Sequence, residues 1–291
     1  MSDHETRRVT ELPSADLSGL RPVGRRPPFV SYVRGLLQRR HFIVADARAR
    51  ALTRHRGTLL NNGWLVLQPL LNGVTFYVIF GLLLQTSRGI DNFVGYLLVG
   101  VFLFEFTSRC LNQGATAVAG GRNLVRAFTF PRASLPVAVV VREAFGMAPV
   151  LVTMAVLILA VPPHAPVTWL WLLFPAVLAL QTVFNLGLAL AAARVTAQLP
   201  DVRVLLGFVT RFWMYGSAVM FSYEQFVEDP TLLAVLELNP AYLVLDMSRD
   251  LLLYAAAPTA DSWLVLAAWA VGTCAFGLWF FWRAEERYGR E

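Results

Sequence analysis

The segment RNLVRAFTFPRASLP, which begins at Arg122, carries three arginines and no acidic residue, and it lies between two long apolar segments. On a helix, Arg122 and Arg126 share one face, whereas Leu124 and Phe128 share another. Apolar side chains on such a loop need burial, so the pattern predicts docking into a groove whose acidic rim pairs with the arginines. The predicted docking residues are Arg122, Leu124, Val125, Arg126, Phe128, Pro131 and Arg132. A basic loop with a simple turn is the alternative, and it applies above all to Arg132.

The prolines of this segment set the limits of two predicted helices. Pro131 ends the docking helix, which spans about residues 120–130. Ser134 is suited to cap the next helix, and Pro136 falls in its first turn, where the missing N–H costs little.

Charged residues also occur inside apolar segments, as Glu105, Arg109, Arg142 and Glu143. Each costs about 2.5–3.5 kcal/mol at the centre of a bilayer, so each needs a partner. Arg109 and Glu143 lie at similar depth, about 12 Å from the inner ends of their segments. We therefore predict a cluster of Arg109, Glu143 and Glu105 that faces protein. A functional cluster would gate a path or meet a substrate's pyrophosphate, whereas a structural cluster would lock two helices together. Arg211 has no assigned acidic partner.

Aromatic residues are dense in the first two long apolar segments. Their rings offer broad surfaces to the apolar faces of sugars, so they are candidates to line a substrate path. The candidates are Phe76, Tyr77, Phe80, Phe102 and Phe106. Packing against lipid or protein is the alternative for each of them. Phe104 is expected to point elsewhere, because residues two apart on a helix do not share a face.

Several kinds of chemistry are excluded by composition. The sequence contains no lysine, so it lacks the lysine of a Walker A loop that binds nucleotide phosphates. The four histidines do not cluster, and the acidic residues form no paired motif of the kind used by polyprenyl-phosphate glycosyltransferases. We therefore predict no metal site and no enzymatic activity in this chain.

The elements that position these residues belong to a multi-pass membrane protein. Of the 291 residues, 56% are hydrophobic and 15% are charged, with a mean hydropathy of +0.55. A disordered cytoplasmic tail is predicted for residues 1–30, followed by an amphipathic helix at 31–56 that lies at the membrane surface or packs on a soluble partner. Six spans are predicted, at about 63–85, 92–118, 135–161, 168–193, 203–222 and 262–282.

The arginines predict the orientation of these spans. Three arginines occupy the 119–134 loop, whereas the 161–168 loop has no charge, so both termini and the 119–134 loop are expected in the cytoplasm. The connection at about 223–261 is too apolar for a solvated loop, and Asn239-Pro240 interrupts it. We predict a re-entrant helical hairpin there.

Local motifs resemble the membrane subunit of ABC-2 type exporters, in particular the branch that exports lipid-linked O-antigen, teichoic acid or galactan. FTFPRASLP at 128–136, LNPAYLVLDMSRDLLL at 238–253 and QPLLNGVTFYVIFG at 68–81 carry the resemblance, which covers about residues 31–285. The lysine-free composition favours the mycobacterial galactan exporter type. Family members often have Ser-Pro where GSAVMFSY stands at 216–223, so a softer helix break is expected here.

The resemblance implies an all-α type V exporter fold and a homodimer in the cytoplasmic membrane. It also implies that residues 120–130 form the coupling helix and that two separate ATPase subunits bind the ATP and Mg²⁺, with no cofactor in this chain. The substrate would be a lipid-linked polysaccharide, with no nucleic acid partner. The hairpin residues Asn239, Pro240 and Arg249 would form a lid over the exit or a packing element. Alternatives are a membrane-embedded enzyme of cell-envelope glycolipid synthesis or an ATP-independent carrier.

Overall fold

The computed structural model describes residues 27–53, 63–76, 78–79, 83, 90, 92–121, 131–161 and 165–285. All the regular structure in those ranges is helical, as predicted. The helices are α1 (Phe29–Gln38), α2 (Arg40–Thr53), α3 (Trp64–Phe76), α4 (Phe93–Ala115), α5 (Ala117–Gly120), α6 (Ser134–Ala160), α7 (Phe174–Gln198), α8 (Val202–Tyr215), α9 (Pro230–Glu237), α10 (Pro240–Arg249) and α11 (Ala260–Arg283).

Four of the described helices are long and apolar enough to cross a membrane: α4, α6, α11, and α7 together with the 3₁₀ turn Trp169–Leu173 before it. A fifth is added if the bent pair α9 and α10 counts as one span. The chain is therefore a multi-pass membrane protein. The predicted span at 203–222 differs from the structure, because α8 has only 14 residues. At 1.5 Å per residue it is about 21 Å long, shorter than the roughly 30 Å of a bilayer core.

The bundle has two ends. We call the end where α1, residues 131–133 and residues 284–285 meet the junction end. The opposite end, where α9 and α10 lie, is the hairpin end. Helices α4, α7 and α11 run from the hairpin end to the junction end, and α6 and α8 run the other way.

Helix α4 forms the centre of the core. Its side chains are buried around almost the whole circumference, including Leu97, Val99 and Leu103. Such all-round burial is expected of a helix enclosed by others, and α4 packs against α6 and α7. Asn92 caps the beginning of α4, because its Oδ1 accepts the Gly95 N–H at 2.9 Å.

Helices α7 and α11 pack with their backbones in contact. A Cβ atom at Gly187 of α7 would overlap the Thr273 carbonyl of α11, and one at Gly277 of α11 would overlap the Gly187 carbonyl. Two glycines therefore allow an approach that larger residues would prevent.

The surface helix predicted at 31–56 consists of two helices. The first ends at Gln38 and the second begins at Arg40. Tyr32 and Leu36 of α1 are buried in a cluster with residues of α7 and α11, whereas α2 packs on α6.

The helix break after α8 is complete, so the expectation of a softer break was wrong. The α8 helix ends at Tyr215, and Ala218 takes a left-handed conformation with φ of 50°. Helix α10 continues into a π-helical turn, Asp250–Tyr254, and the axis of this unit lies at 89° to α9. Leu238 and Asn239 form the corner between them.

Candidate functional site

The first candidate site is the junction, where the chain emerges from the predicted coupling segment into α6. Residues 122–130 lie outside the described residues, so the predicted docking surface of Arg122, Leu124, Val125, Arg126 and Phe128 is not described. Pro131 and Arg132 are described. They lie directly before α6 and contact α1 and the residues after α11.

Side chains from other elements cap the beginning of α6. The Tyr32 hydroxyl accepts the Ala133 N–H at 3.0 Å, and Glu285 Oε1 accepts the Arg132 N–H at 3.0 Å. The Tyr32 hydroxyl in turn donates to Glu285 Oε2 at 2.7 Å. Backbone N–H groups at the start of a helix have no acceptor within the helix. Here Tyr32 and Glu285, which are far from α6 in sequence, supply the acceptors.

The predicted cap, Ser134, has another role. Its hydroxyl donates back to the Pro131 carbonyl at 2.6 Å, and Ala133 occupies the capping position without a side-chain bond of its own. The difference arises because Tyr32 and Glu285 supply the acceptors that a local cap would otherwise provide.

Glu285 is almost fully buried at this junction. Burial raises the pKa of its carboxyl group, while the hydrogen bonds from the Arg132 N–H and the Tyr32 hydroxyl and the nearby Arg132 charge act to lower that pKa. The Arg132 guanidinium also donates to the Glu285 carbonyl. Arg132 therefore binds both the side-chain carboxylate and the backbone carbonyl of Glu285.

The second candidate site lies at the hairpin end, around the irregular segment that follows α8. Arg249 is 1% exposed, and its Nη2 lies 3.1 Å from both the Ala218 and the Val219 carbonyl oxygens. Its guanidinium stacks over the ring of Tyr96 in α4. The Tyr96 hydroxyl lies 3.0 Å from the Ala218 carbonyl oxygen and 2.8 Å from that of Phe221. Two buried side chains thus satisfy the carbonyls of a non-helical segment.

Asn239 joins the hairpin corner to the end of α8. Its Nδ2 donates to the Gly216 carbonyl at 3.0 Å and to the Ser217 hydroxyl at 2.9 Å. Its Oδ1 accepts the Trp213 indole N–H at 2.9 Å and caps α10 through the Ala241 N–H at 3.1 Å. Pro240 occupies the first position of α10, where a missing N–H leaves no helical bond unmade.

The intramembrane charges form two pairs. Arg109 contacts Glu105 at 2.6 Å within α4, and Arg142 contacts Glu143 at 3.4 Å within α6. The predicted cluster requires an ion pair between Arg109 and Glu143. Among the ion pairs of the described ranges, none joins these two residues. The link between the helices is instead the bond from Arg142 Nη2 to Gln113 Oε1 at 2.6 Å. Each arginine thus pairs with a carboxylate on its own helix, Arg109 with Glu105 and Arg142 with Glu143, rather than with one on the other helix.

The aromatic candidates divide into two groups. Phe102 and Phe106 of α4 are 1% and 2% exposed and lie in the main core, so the packing alternative applies to both in this conformation. Phe104 contacts Trp213 edge to face, with ring centres 5.7 Å apart. Tyr77, Phe80 and the side chain of Phe76 lie outside the described residues.

Several residues at these sites were missed by sequence reasoning. Tyr32, Glu285, Tyr96, Trp213 and Gln113 supply hydrogen bonds that hold irregular backbone or a charge. A polar residue in or beside an apolar segment is the signal they share. That signal identifies a residue in need of a partner but not the partner.

Comparisons with known proteins agree with this architecture. Residues 43–253 match the family described as ABC-2 type transporter. The O-antigen export system permease protein RfbA of Myxococcus xanthus is 25% identical over 242 residues, which are 83% of this chain and 92% of that protein. A protein of the same name from Klebsiella pneumoniae is 19% identical over 198 residues, or 68% of this chain and 74% of that protein. The resemblance is confirmed, and because the family match covers more than half of its residues, this chain belongs to the ABC-2 type transporter family.

Proposed function

We propose that the chain is the transmembrane permease subunit of an ATP-driven exporter of a lipid-linked polysaccharide. The observation that carries the proposal is the similarity to a relative named as an O-antigen export permease, which extends over 83% of this chain. The polar lining of the irregular segment at membrane depth adds support, because such backbone occurs where it is buried in protein or lines a cavity.

The energy for export comes from a separate ATPase in this proposal. The sequence has no lysine and therefore no Walker A lysine, so the nucleotide and Mg²⁺ belong to the partner. The contact with that partner is the coupling segment at about 120–130. Its apolar residues Leu124 and Phe128 enter a groove of the ATPase, and Arg122 and Arg126 pair with the rim of that groove.

The proposed topology has six spans with both termini in the cytoplasm of the producing cell. The segment at 63–85 and the segment at 203–222, in which the 14-residue α8 continues into irregular backbone, complete the six together with the four long helices. The arginine-rich junction end then faces the cytoplasm, where the positive-inside rule places it. The hairpin end faces outward.

We propose a homodimer because of the surface of α8. Val204, Phe208 and Phe212 are exposed on this helix, and Arg211 is exposed beside them. An arginine facing lipid at this depth is costly, so intramembrane charges face protein or a water-filled cavity. A second copy opposite α8 would enclose Arg211 in a central path, to which Tyr77 and Phe80 are the proposed aromatic contributors.

The test is co-purification with a candidate ATPase subunit that carries a Walker A loop. A tagged wild-type chain is expected to retain the ATPase on membranes and to restore glycan export to a strain that lacks the chain. Phe128→Asp is expected to lose both. Ala127→Asp introduces the same charge on another helical face and should keep both. Export by Phe128→Asp with the ATPase retained would refute docking, and export without any ATPase would refute the proposed function.

A further inference from the structure

Glu285 joins two helices that are far apart in sequence at the point where the coupling segment ends. Its carboxylate accepts the Arg132 N–H just before α6, and it lies two residues after Arg283, the last residue of α11. We propose that Glu285 is a positioning residue through which a displacement at residues 131–133 moves α11 and thereby the outer hairpin. This inference rests on the proposed function, in which that displacement comes from the ATPase.

The junction end of α11 is held at more than one point. Trp282 donates its indole N–H to the Pro27 carbonyl at 2.9 Å, and its ring meets Phe29 edge to face with centres 5.3 Å apart. On the other side of the junction, a Cβ at Gly35 of α1 would lie only 3.3 Å from the Pro131 ring. The beginning of α1, residues 131–133 and the end of α11 therefore form one packed unit.

Helix α11 is suited to carry a displacement. It is continuous over 24 residues and contains no proline. From Trp269 to Arg283, the last residue of α11, the distance along the axis is about 21 Å, at 1.5 Å per residue. The backbone contact of Gly277 with Gly187 lies between these two residues and provides a fixed point about which α11 can tilt.

The other end of this connection is Trp269. Its indole N–H donates to the Leu238 carbonyl at 3.0 Å. Leu238 is the residue before Asn239 at the hairpin corner, and Asn239 binds Gly216 and Ser217 at the end of α8. A movement of α11 thus reaches the hairpin corner through the Trp269 hydrogen bond, and from there reaches the irregular segment through the bonds of Asn239.

Hydrogen–deuterium exchange on the complete complex with its ATPase tests this connection. Deuterium uptake of peptides covering residues 216–222 and 230–245 is compared between the nucleotide-free complex and the complex trapped with ATP and orthovanadate. Trapping is expected to change uptake of both peptides in the wild-type chain. Vanadate inhibition of ATP hydrolysis, measured on the same sample, confirms that the ATPase is assembled and trapped.

The variants remove one end of the connection at a time. Glu285→Gln keeps the shape but replaces one acceptor oxygen with a donor, and Trp269→Phe removes only the indole N–H. Each is expected to reduce the trapping-dependent change in uptake at least fivefold, and the double variant should reduce it no further. Trp279→Phe is the matched control, because Trp279 lies on the same helix with 42% exposure against 43% for Trp269.

The outcomes of this experiment test the role of α11 separately from the proposed function. An undiminished change in Glu285→Gln, or equal losses in Trp279→Phe and Trp269→Phe, would overturn the role of α11. A wild-type complex that traps nucleotide without any change at the hairpin would overturn it as well. If Glu285→Gln fails to assemble, Trp269→Phe decides alone. A wild-type chain that binds no ATPase would instead refute the proposed function and this inference with it.

Discussion

The guanidinium carbon of Arg249 lies 3.3 Å from the centre of the Tyr96 ring, and both side chains are buried. Among the described residues, the charge of Arg249 is met by this ring and by backbone carbonyls rather than by an ion pair. The cation–π contact and three carbonyl acceptors replace part of the water that Arg249 loses, while its buried Nε has no hydrogen-bond partner among the described residues. In return, the charge fixes the irregular segment around Ala218.

Replacing Arg249 tests whether it holds this segment. Arg249→Met keeps an unbranched apolar stem but leaves the Val219 carbonyl without its donor. We expect a loss of about 2–4 kcal/mol in stability, because buried acceptors lose charged partners. The measurement is the thermal midpoint in detergent, which should fall by roughly 5–10 °C. Arg203→Met, at an exposed arginine of α8, should change the midpoint by no more than about 2 °C.

Tyr96→Phe separates the hydroxyl of Tyr96 from its ring. The variant keeps the surface under the guanidinium but removes the donor to the Phe221 carbonyl, so we expect a loss of about 1 kcal/mol. In a double-mutant cycle with Arg249→Met, the coupling energy should be about 0.5–3 kcal/mol, since the two residues are in contact. Strictly additive losses would show that the Tyr96 hydroxyl and the Arg249 guanidinium hold this segment independently, although both contact the Ala218 carbonyl.

Sequence patterns were sufficient for the long helices but not for the partners of polar residues. The apolar runs of α4, α6 and α11 predicted helices within a few residues of their observed bounds. The partner of Arg249 was not predictable, because backbone carbonyls exist at every position and carry no sequence signal. Tyr32 and Glu285 are 253 residues apart, and only the folded chain brings them together.

The same limit applies to the aromatic residues. A phenylalanine on an apolar helix has the same local sequence whether it faces lipid, a path or the core. Only the packing of α6 and α7 around α4 places Phe102 and Phe106 in the interior. The short α8 was missed for a related reason, since residues 216–222 are apolar enough for a helix and only tertiary contacts keep them irregular.

The Glu105–Arg109 ion pair allows a test of whether these charges only stabilise the fold or also take part in transport. Glu105→Arg alone is expected to reduce the amount of folded protein, because it places two arginines one turn apart in α4. The swap Glu105→Arg with Arg109→Glu restores an i,i+4 pair and should lose only a few tenths of a kcal/mol from reversed orientation. Size-exclusion chromatography of the fluorescently tagged chain measures the folded fraction.

Export by the swapped variant then separates the two roles of this pair. Folded protein that also exports glycan at the wild-type rate indicates that the pair only stabilises α4. Folded protein without export indicates that the order of the charges matters to transport. A swap that folds no better than Glu105→Arg alone would contradict the pairing itself.

The contact between α7 and α11 predicts opposite effects at two glycines of one helix. Gly277→Ala places a methyl group against the Gly187 carbonyl, so the helices must separate, and we expect a loss of about 1–3 kcal/mol. Gly272→Ala meets no atom within 4 Å and lies inside the same helix, so it should be neutral or stabilise by up to about 1 kcal/mol. Thermal midpoints of the two variants in detergent are compared. Equal midpoints would contradict the close approach, because helix propensity alone favours alanine at both positions.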